Sequence, residues 1–140
     1  MDLQELSDRQ EIVDVITRYT RAIDTRSWDD LDDVFADGAI LDYSAVGGPA
    51  AELEVAKPWV EKGLSGFLRY QHIIGQVSVE LDGDTARATA YFTNPMVAPT
   101  REGGESVVEV GGYYHHELVR TPDGWRSKRM VDDNVWMRGW

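Results

Sequence analysis

Apolar residues in the first quarter of the chain recur with a helical period. Ile12, Ile16, Tyr19 and Ile23 stand at i, i+4, i+7 and i+11, one stripe of an amphipathic helix. Just ahead, Ser7-Asp8-Arg9-Gln10 has the hydroxyl, and the amide three residues later, of a capping box. The first helix is therefore expected to begin there. Ser27 is a second cap, for a helix with apolar residues Trp28, Leu31, Val34 and Phe35 that Asp37-Gly38 ends. Ala39 to Tyr43 reads as a short strand, and Val46 to Ala51 as a Gly/Pro loop. Leu53 to Leu64 reads as a third helix, with Pro58 required in its first turn.

After Gly66 the period changes from helical to alternating. Val77, Val79 and Leu81 alternate up to Asp82-Gly83, a hairpin turn signal, and Ala86, Ala88, Ala90 and Phe92 alternate on the way back. A second long pair runs from about Ser106 to Arg120 and from Trp125 to Trp136, joined by Thr121-Pro122-Asp123-Gly124. Helices first and long antiparallel strands afterwards predict an α+β fold, with the helices on one face of a sheet. Gly103-Gly104 reads as a turn and Gly111-Gly112 as a bend within a strand.

Composition narrows the classes of function. At 140 residues the chain fits one domain, expected to span 1–140, and is long enough to bury a core without staples. It has no cysteine, so disulfides and thiolate metal sites are excluded. A formal charge of −11 repels phosphate backbones and anionic lipid, which argues against nucleic-acid and membrane partners. No apolar run approaches the roughly 20 residues of a membrane span. The N-terminus lacks a basic segment followed by an apolar one, so a cytoplasmic location is expected.

Candidate chemistry centres on Asp24 and His72. A carboxylate at the C-terminal end of a helix is repelled by the helix dipole, at a cost of up to about 1 kcal/mol. A histidine is the side chain best suited to compensate near neutral pH, and Gln71-His72-Ile73-Ile74-Gly75 opens the strand region. Tyr19 lies on the apolar stripe, so its hydroxyl needs a partner. His115 and His116 are neighbours on one strand and point to opposite faces. They are not a chelating pair, and with no His-x3-His or carboxylate cluster no metal site is expected. Trp59, Phe92, Met96 and Trp136 are candidates to line an apolar cavity, beside the blander reading of ordinary core. No GxSxG motif offers a nucleophile.

Four segments occur in this order: Tyr19-x4-Asp24, Trp28-Asp29-x-Leu31, Gln71-His72-x2-Gly75 and Asp123-Gly124-Trp125. Together with the element order, they make nearly the whole chain resemble the nuclear transport factor 2-like (SnoaL-like) superfamily. Within it, the chain looks like the dehydratase branch, which includes scytalone dehydratase and bile acid 7α-dehydratase. The resemblance implies a cone-shaped α+β barrel, with N-terminal helices packed on a curved, mostly antiparallel sheet and a pocket between them. It also implies a homodimer or higher homo-oligomer, no cofactor, and a small hydrophobic, ring-containing substrate. Asp24 and His72 match the family's dyad, and Tyr19 and Tyr43 match its pocket tyrosines. A second family histidine falls near Met96, and a second acid near Asn94, neither of which carries a transferable proton. His115 falls near a substrate-binding asparagine. The expected activity is a cofactor-independent lyase of dehydratase type. An isomerase, a polyketide-cyclase-like enzyme and a non-catalytic binding or dimerisation module are the alternatives.

Overall fold

The stripe of Ile12, Ile16, Tyr19 and Ile23 does form a helix, but it starts five residues earlier than Asp8. In a computed structural model describing residues 1–140, α1 runs Leu3–Asp24. Its capping box is Asp2 with Glu5: the Glu5 amide donates to the Asp2 carboxylate at 2.8 Å, and the Asp2 amide donates to Glu5 at 3.3 Å. Ser7 to Gln10 lies inside the helix, where Asp8 is drawn into the interior by Arg120. Ile12, Val15, Ile16, Tyr19 and Ile23 are essentially inaccessible to solvent. Burying an aliphatic side chain of this size contributes about 1.5–3 kcal/mol, so packing rather than propensity holds α1 in place.

The expected second helix shrinks to a 3-10 helix, Trp28–Asp33. Phe35 does not close it but opens strand β1 (Phe35–Asp42), which continues through Asp37-Gly38. Gly38 has φ +74°, and the register with the neighbouring strand shifts between Phe35 and Ile40, so the Asp-Gly pair forms an irregularity within the strand rather than a stop. Ser44–Val46 makes a 3-10 turn that leads into the expected loop, and Ala50–Glu52, across the end of that loop, forms the short β2. Helix α2 (Leu53–Leu64) forms as read, although Pro58 falls in its second turn and costs it one i→i−4 bond.

The rest is sheet: β3 (Arg69–Tyr70), β4 (Ile73–Asp82), β5 (Thr85–Pro99), β6 (Glu105–Thr121) and β7 (Gly124–Arg138). The seven strands run in the order β2-β1-β7-β6-β5-β3, with β4 also pairing with β5. Only β1–β7 is parallel. The fold is thus α+β, helices packed on one face of a curved, mostly antiparallel sheet. The inner face changes character along its length. Small Ala86, Ala88 and Ala90 line β5 at one end, and Phe92, Asn94 and Met96 follow at the other. No helix is long and apolar enough to cross a membrane.

His116 is a buried ionisable ring in this core. It is 2% exposed, its Nδ1 lies 2.9 Å from the Ser127 hydroxyl, and its Nε2 has no partner. Burial pushes the imidazole down from 6.5 to about 3. The folded protein therefore holds His116 neutral, whereas the unfolded chain protonates it below about pH 6.5. Between these values the unfolded state binds more protons, so this contribution is intact above about pH 6.5 and lost as pH falls toward 3. In denaturant titrations the stability difference between wild type and His116→Gln, in which the other titrating groups cancel, is expected to shift by about 2 kcal/mol against the wild type from pH 7 to pH 5. An unchanged pH slope in the variant would assign the effect to other groups.

Candidate active site

Helix α1 ends on Asp24, where the helix dipole disfavours a carboxylate. Two donors from one residue answer it. The backbone N–H of His72 donates to Asp24 Oδ2 at 2.9 Å, and the ring Nδ1 lies 2.6 Å from Oδ1. His72 occupies the break between β3 and β4. Tyr70, two residues earlier, donates its hydroxyl to the Ile23 carbonyl at 3.0 Å, which fastens β3 to the end of α1 and brings His72 against Asp24. The His72 side chain is only 4% exposed. An ionised carboxylate can only accept, so the neutral ring carries its proton on Nδ1 and leaves Nε2 bare. Nε2 has no partner within the protein, and the ring forms part of the wall of a cavity.

That cavity has a volume of about 580 Å³, within the range of about 300–1,000 Å³ usual for small-molecule sites. It lies between the sheet, α1 and α2. Phe92 and Tyr114 stack at 4.0 Å on the sheet side, and the His72 ring sits 6.3 Å from both. The Tyr19 ring meets the Tyr114 ring edge-on at 5.2 Å, and the Tyr19 and Tyr43 hydroxyls lie 2.5 Å apart. Burial pushes both phenols above their ordinary range, so both keep their protons. Trp59 packs on Tyr43 at 5.3 Å. Gly48 makes this possible, because a Cβ there would meet the Trp59 ring at 2.6 Å.

The structure thus brings Tyr19, Tyr43 and the Asp24-bound His72 to one cavity, with Trp59, Phe92, Asn94 and Met96 in its wall. Two expected lining residues face elsewhere. His115 lies on the outer face of the sheet, 3.0 Å from Thr89 Oγ1 and 3.0 Å from Asp133 Oδ2. The inward neighbour, His116, is sealed in the core short of the cavity. Trp136 is also on the outer face, over Gly111, where a Cβ would clash with its ring. A bulge causes this: Gly112 faces Asn134 while Gly111 faces Trp136, so one residue of β7 is extra and the alternation inverts. Met137 takes the inward place, and Trp140 also lines the cavity.

Sequence reasoning missed Tyr114, Asp132 and Asn134. All three line the cavity. Asp132 pairs across from Tyr114, and burial, helped by the charge of Asp133, pushes its carboxyl up from 3.8 to about 7. The available signal was strand parity: Met130 is a core residue, so Asp132 and Asn134 share its inward face.

The SnoaL-like domain family matches residues 4–131. The uncharacterised protein Rv2910c of Mycobacterium tuberculosis is 40% identical over 139 residues, spanning 99% of this chain and 92% of its own. Among solved structures, the Kfla4162 protein from Kribbella flavida superposes with a TM-score of 0.87 at 25% identity, covering 96% of this chain and 95% of that one. The hexachlorocyclohexane dehydrochlorinase LinA-type3 from Novosphingobium barchaimii LL02 superposes with a TM-score of 0.81 at 17% identity, covering 99% and 93%, a likeness of fold alone. On a family match that spans most of its length, this chain belongs to the SnoaL-like domain family.

Proposed function

We propose that the protein is a cofactor-independent lyase. It removes a proton from one carbon of a small, hydrophobic, ring-containing substrate and expels a group from the adjacent carbon. The observation that carries this reading is the Asp24–His72 pair, with an unpartnered Nε2 on the wall of an apolar cavity. Asp24 keeps the Nδ1 proton in place and stabilises the imidazolium that forms when Nε2 takes a proton. A positioned base of this kind contributes about 10²–10⁴-fold. Of the two tyrosine hydroxyls, one donates to the other, which leaves one O–H free. That O–H stabilises negative charge developing on a substrate oxygen. The apolar walls exclude water and strengthen both interactions. A chain of like fold is a dehydrochlorinase, whose loss of hydrogen and chloride is the same class of elimination.

The test uses β-hydroxycyclohexanone in deuterated buffer. Wild-type protein is expected to exchange the proton next to the carbonyl and to form cyclohexenone, followed by NMR and ultraviolet absorbance. His72→Gln is expected to slow both by about 10²–10⁴-fold. Exchange by the variant at the wild-type rate, or none by the wild type, removes the lyase reading.

A further inference from the structure

Five buried side-chain polar atoms lack a hydrogen-bond partner, and three of them belong to one cavity: Asn94 Oδ1, Asp132 Oδ1 and Asn134 Oδ1. Native proteins leave few such atoms, because each costs about 1–3 kcal/mol of desolvation. The second polar atom of each of these side chains is not sealed in this way and has no hydrogen bond within the protein, and all three residues line the cavity, so this wall is where a ligand supplies partners. The sheet register shows how they come together. Asp132 sits across from Tyr114, and Asn134 sits across from Gly112, which has no side chain to cover it. Gly112 in turn faces Phe92, and Asn94 is two residues further along β5 on the same face. These groups form a polar strip on an otherwise apolar floor. His72 borders the floor on the β5 side, beside Phe92 and Tyr114, whereas Asp132 stands on β7. Both side chains line the same cavity of about 580 Å³.

We propose that Asp132 is the acid of this site: its carboxyl gives a proton to the leaving hydroxyl of the substrate after His72 has reversibly taken one from the neighbouring carbon. This assignment rests on the lyase reading and deepens it, because it commits the substrate to an oxygen leaving group. The C–H bond breaks and its proton goes to His72 Nε2. The electron pair left behind rests as an enolate on the substrate carbonyl oxygen, where the tyrosine O–H stabilises it, and then forms the carbon–carbon double bond. The C–O bond breaks toward oxygen, which accepts the Asp132 proton and departs as water. The imidazolium then returns a proton to the Asp132 carboxylate through solvent, and the site is restored. Asn94 and Asn134 hold the substrate oxygens along the same strip.

The surroundings keep that proton available. The titratable groups facing Asp132 are Tyr19 from α1, Tyr43 beyond the end of β1 and Tyr114 from β6, with Asp133 next along β7. None is cationic. Arg129, the nearby cation of β7, lies 3.6 Å from Asp42 instead. Burial and the Asp133 charge thus favour the protonated acid up to about neutral pH.

Two leaving groups decide the matter. A hydroxide needs a proton to depart and an acetate does not, so β-hydroxycyclohexanone and β-acetoxycyclohexanone are compared in wild type, Asp132→Asn and His72→Gln. Asp132→Asn is expected to slow loss of the hydroxyl by about 10²-fold or more, and to leave loss of acetate and exchange of the carbon-bound proton nearly unchanged. His72→Gln is expected to slow all three. Equal slowing of both eliminations by Asp132→Asn overturns the assignment, as does no effect on either. Failure of the wild type to exchange the carbon-bound proton removes the lyase reading, and this proposal with it. A turnover-independent check is carbon-13 NMR of the aspartate carboxyls. One resonance is expected to titrate near neutral pH and to vanish in Asp132→Asn. Titration of Asp132 in the ordinary carboxylate range overturns the proposal.

Discussion

Truncating Trp125 to alanine is expected to lower the free energy of unfolding by about 3–5 kcal/mol. Trp125 is 0% exposed and is the largest fully buried side chain. Its indole N–H donates to Asp8 Oδ1 at 3.1 Å, and its ring carries the Arg120 guanidinium at 4.7 Å. Arg120 also grips Asp8 with two N–H donors, at 2.8 and 2.9 Å, and these bonds hold the Asp8 carboxyl well below the usual carboxylate range. The backbone N–H of Trp125 donates to Glu11. One residue at the start of β7 thus bolts the β6–β7 hairpin to the first half of α1. Alanine leaves a void there and removes one donor from a buried carboxylate. Trp125→Phe keeps most of the packing and loses only the N–H, so a smaller loss of about 1–2 kcal/mol is expected. Denaturant unfolding followed by circular dichroism measures both. A loss below about 1 kcal/mol for the alanine variant would mean that the hairpin is held elsewhere.

Where the sequence carried a period, the fold was legible. The stripe of α1 and the alternation on β4 and β5 depend on local spacing alone, and the Asp82-Gly83 turn follows from glycine at φ +60°. Boundaries were harder because the same residues serve two purposes. Ser7 and Gln10 make a plausible cap in sequence, yet Asp8 between them is used inside the core by Arg120, which lies 112 residues away. Phe35 continues the helical stripe on paper, but pairing beside β7 claims it for β1. Such long-range partners leave no trace in a local window.

The site divides in the same way. Asp24 was visible because an acid at a helix end is electrostatically wrong unless something answers it, and Tyr19 because it breaks an aliphatic stripe with a hydroxyl. Trp136 and His115 went astray for a different reason. The bend at Gly111-Gly112 was legible as a bend, but inverting the alternation of β7 requires knowing which strand faces it. Asp132, Asp133 and Asn134 form a run polar on both faces, which reads as surface. The cavity gives Asp132 its meaning, and no window of residues shows the cavity.

Asp24→Asn is expected to lower turnover of β-hydroxycyclohexanone by about 10²–10⁴-fold without unfolding the protein, the range of a positioned base that loses its stabilising charge. Asparagine is nearly isosteric, so its side-chain oxygen can still accept from the His72 backbone N–H, now 2.9 Å from Asp24 Oδ2. The change falls on the ring. A neutral amide offers a donor as well as an acceptor, so it no longer fixes the Nδ1–H tautomer, and it places no negative charge beside the imidazolium. If Asp24 acts only through His72, removing both groups costs little more than removing His72 alone. The Asp24→Asn/His72→Gln double variant should therefore match His72→Gln to within a factor of a few. A fully additive loss would mean that Asp24 contributes by another route, and a folded Asp24→Asn protein with wild-type turnover would reduce the pair to a helix-end repair. The two distances that tie His72 to Asp24, 2.6 and 2.9 Å, favour the coupled result, because one carboxylate fixes both the backbone and the ring of the same residue.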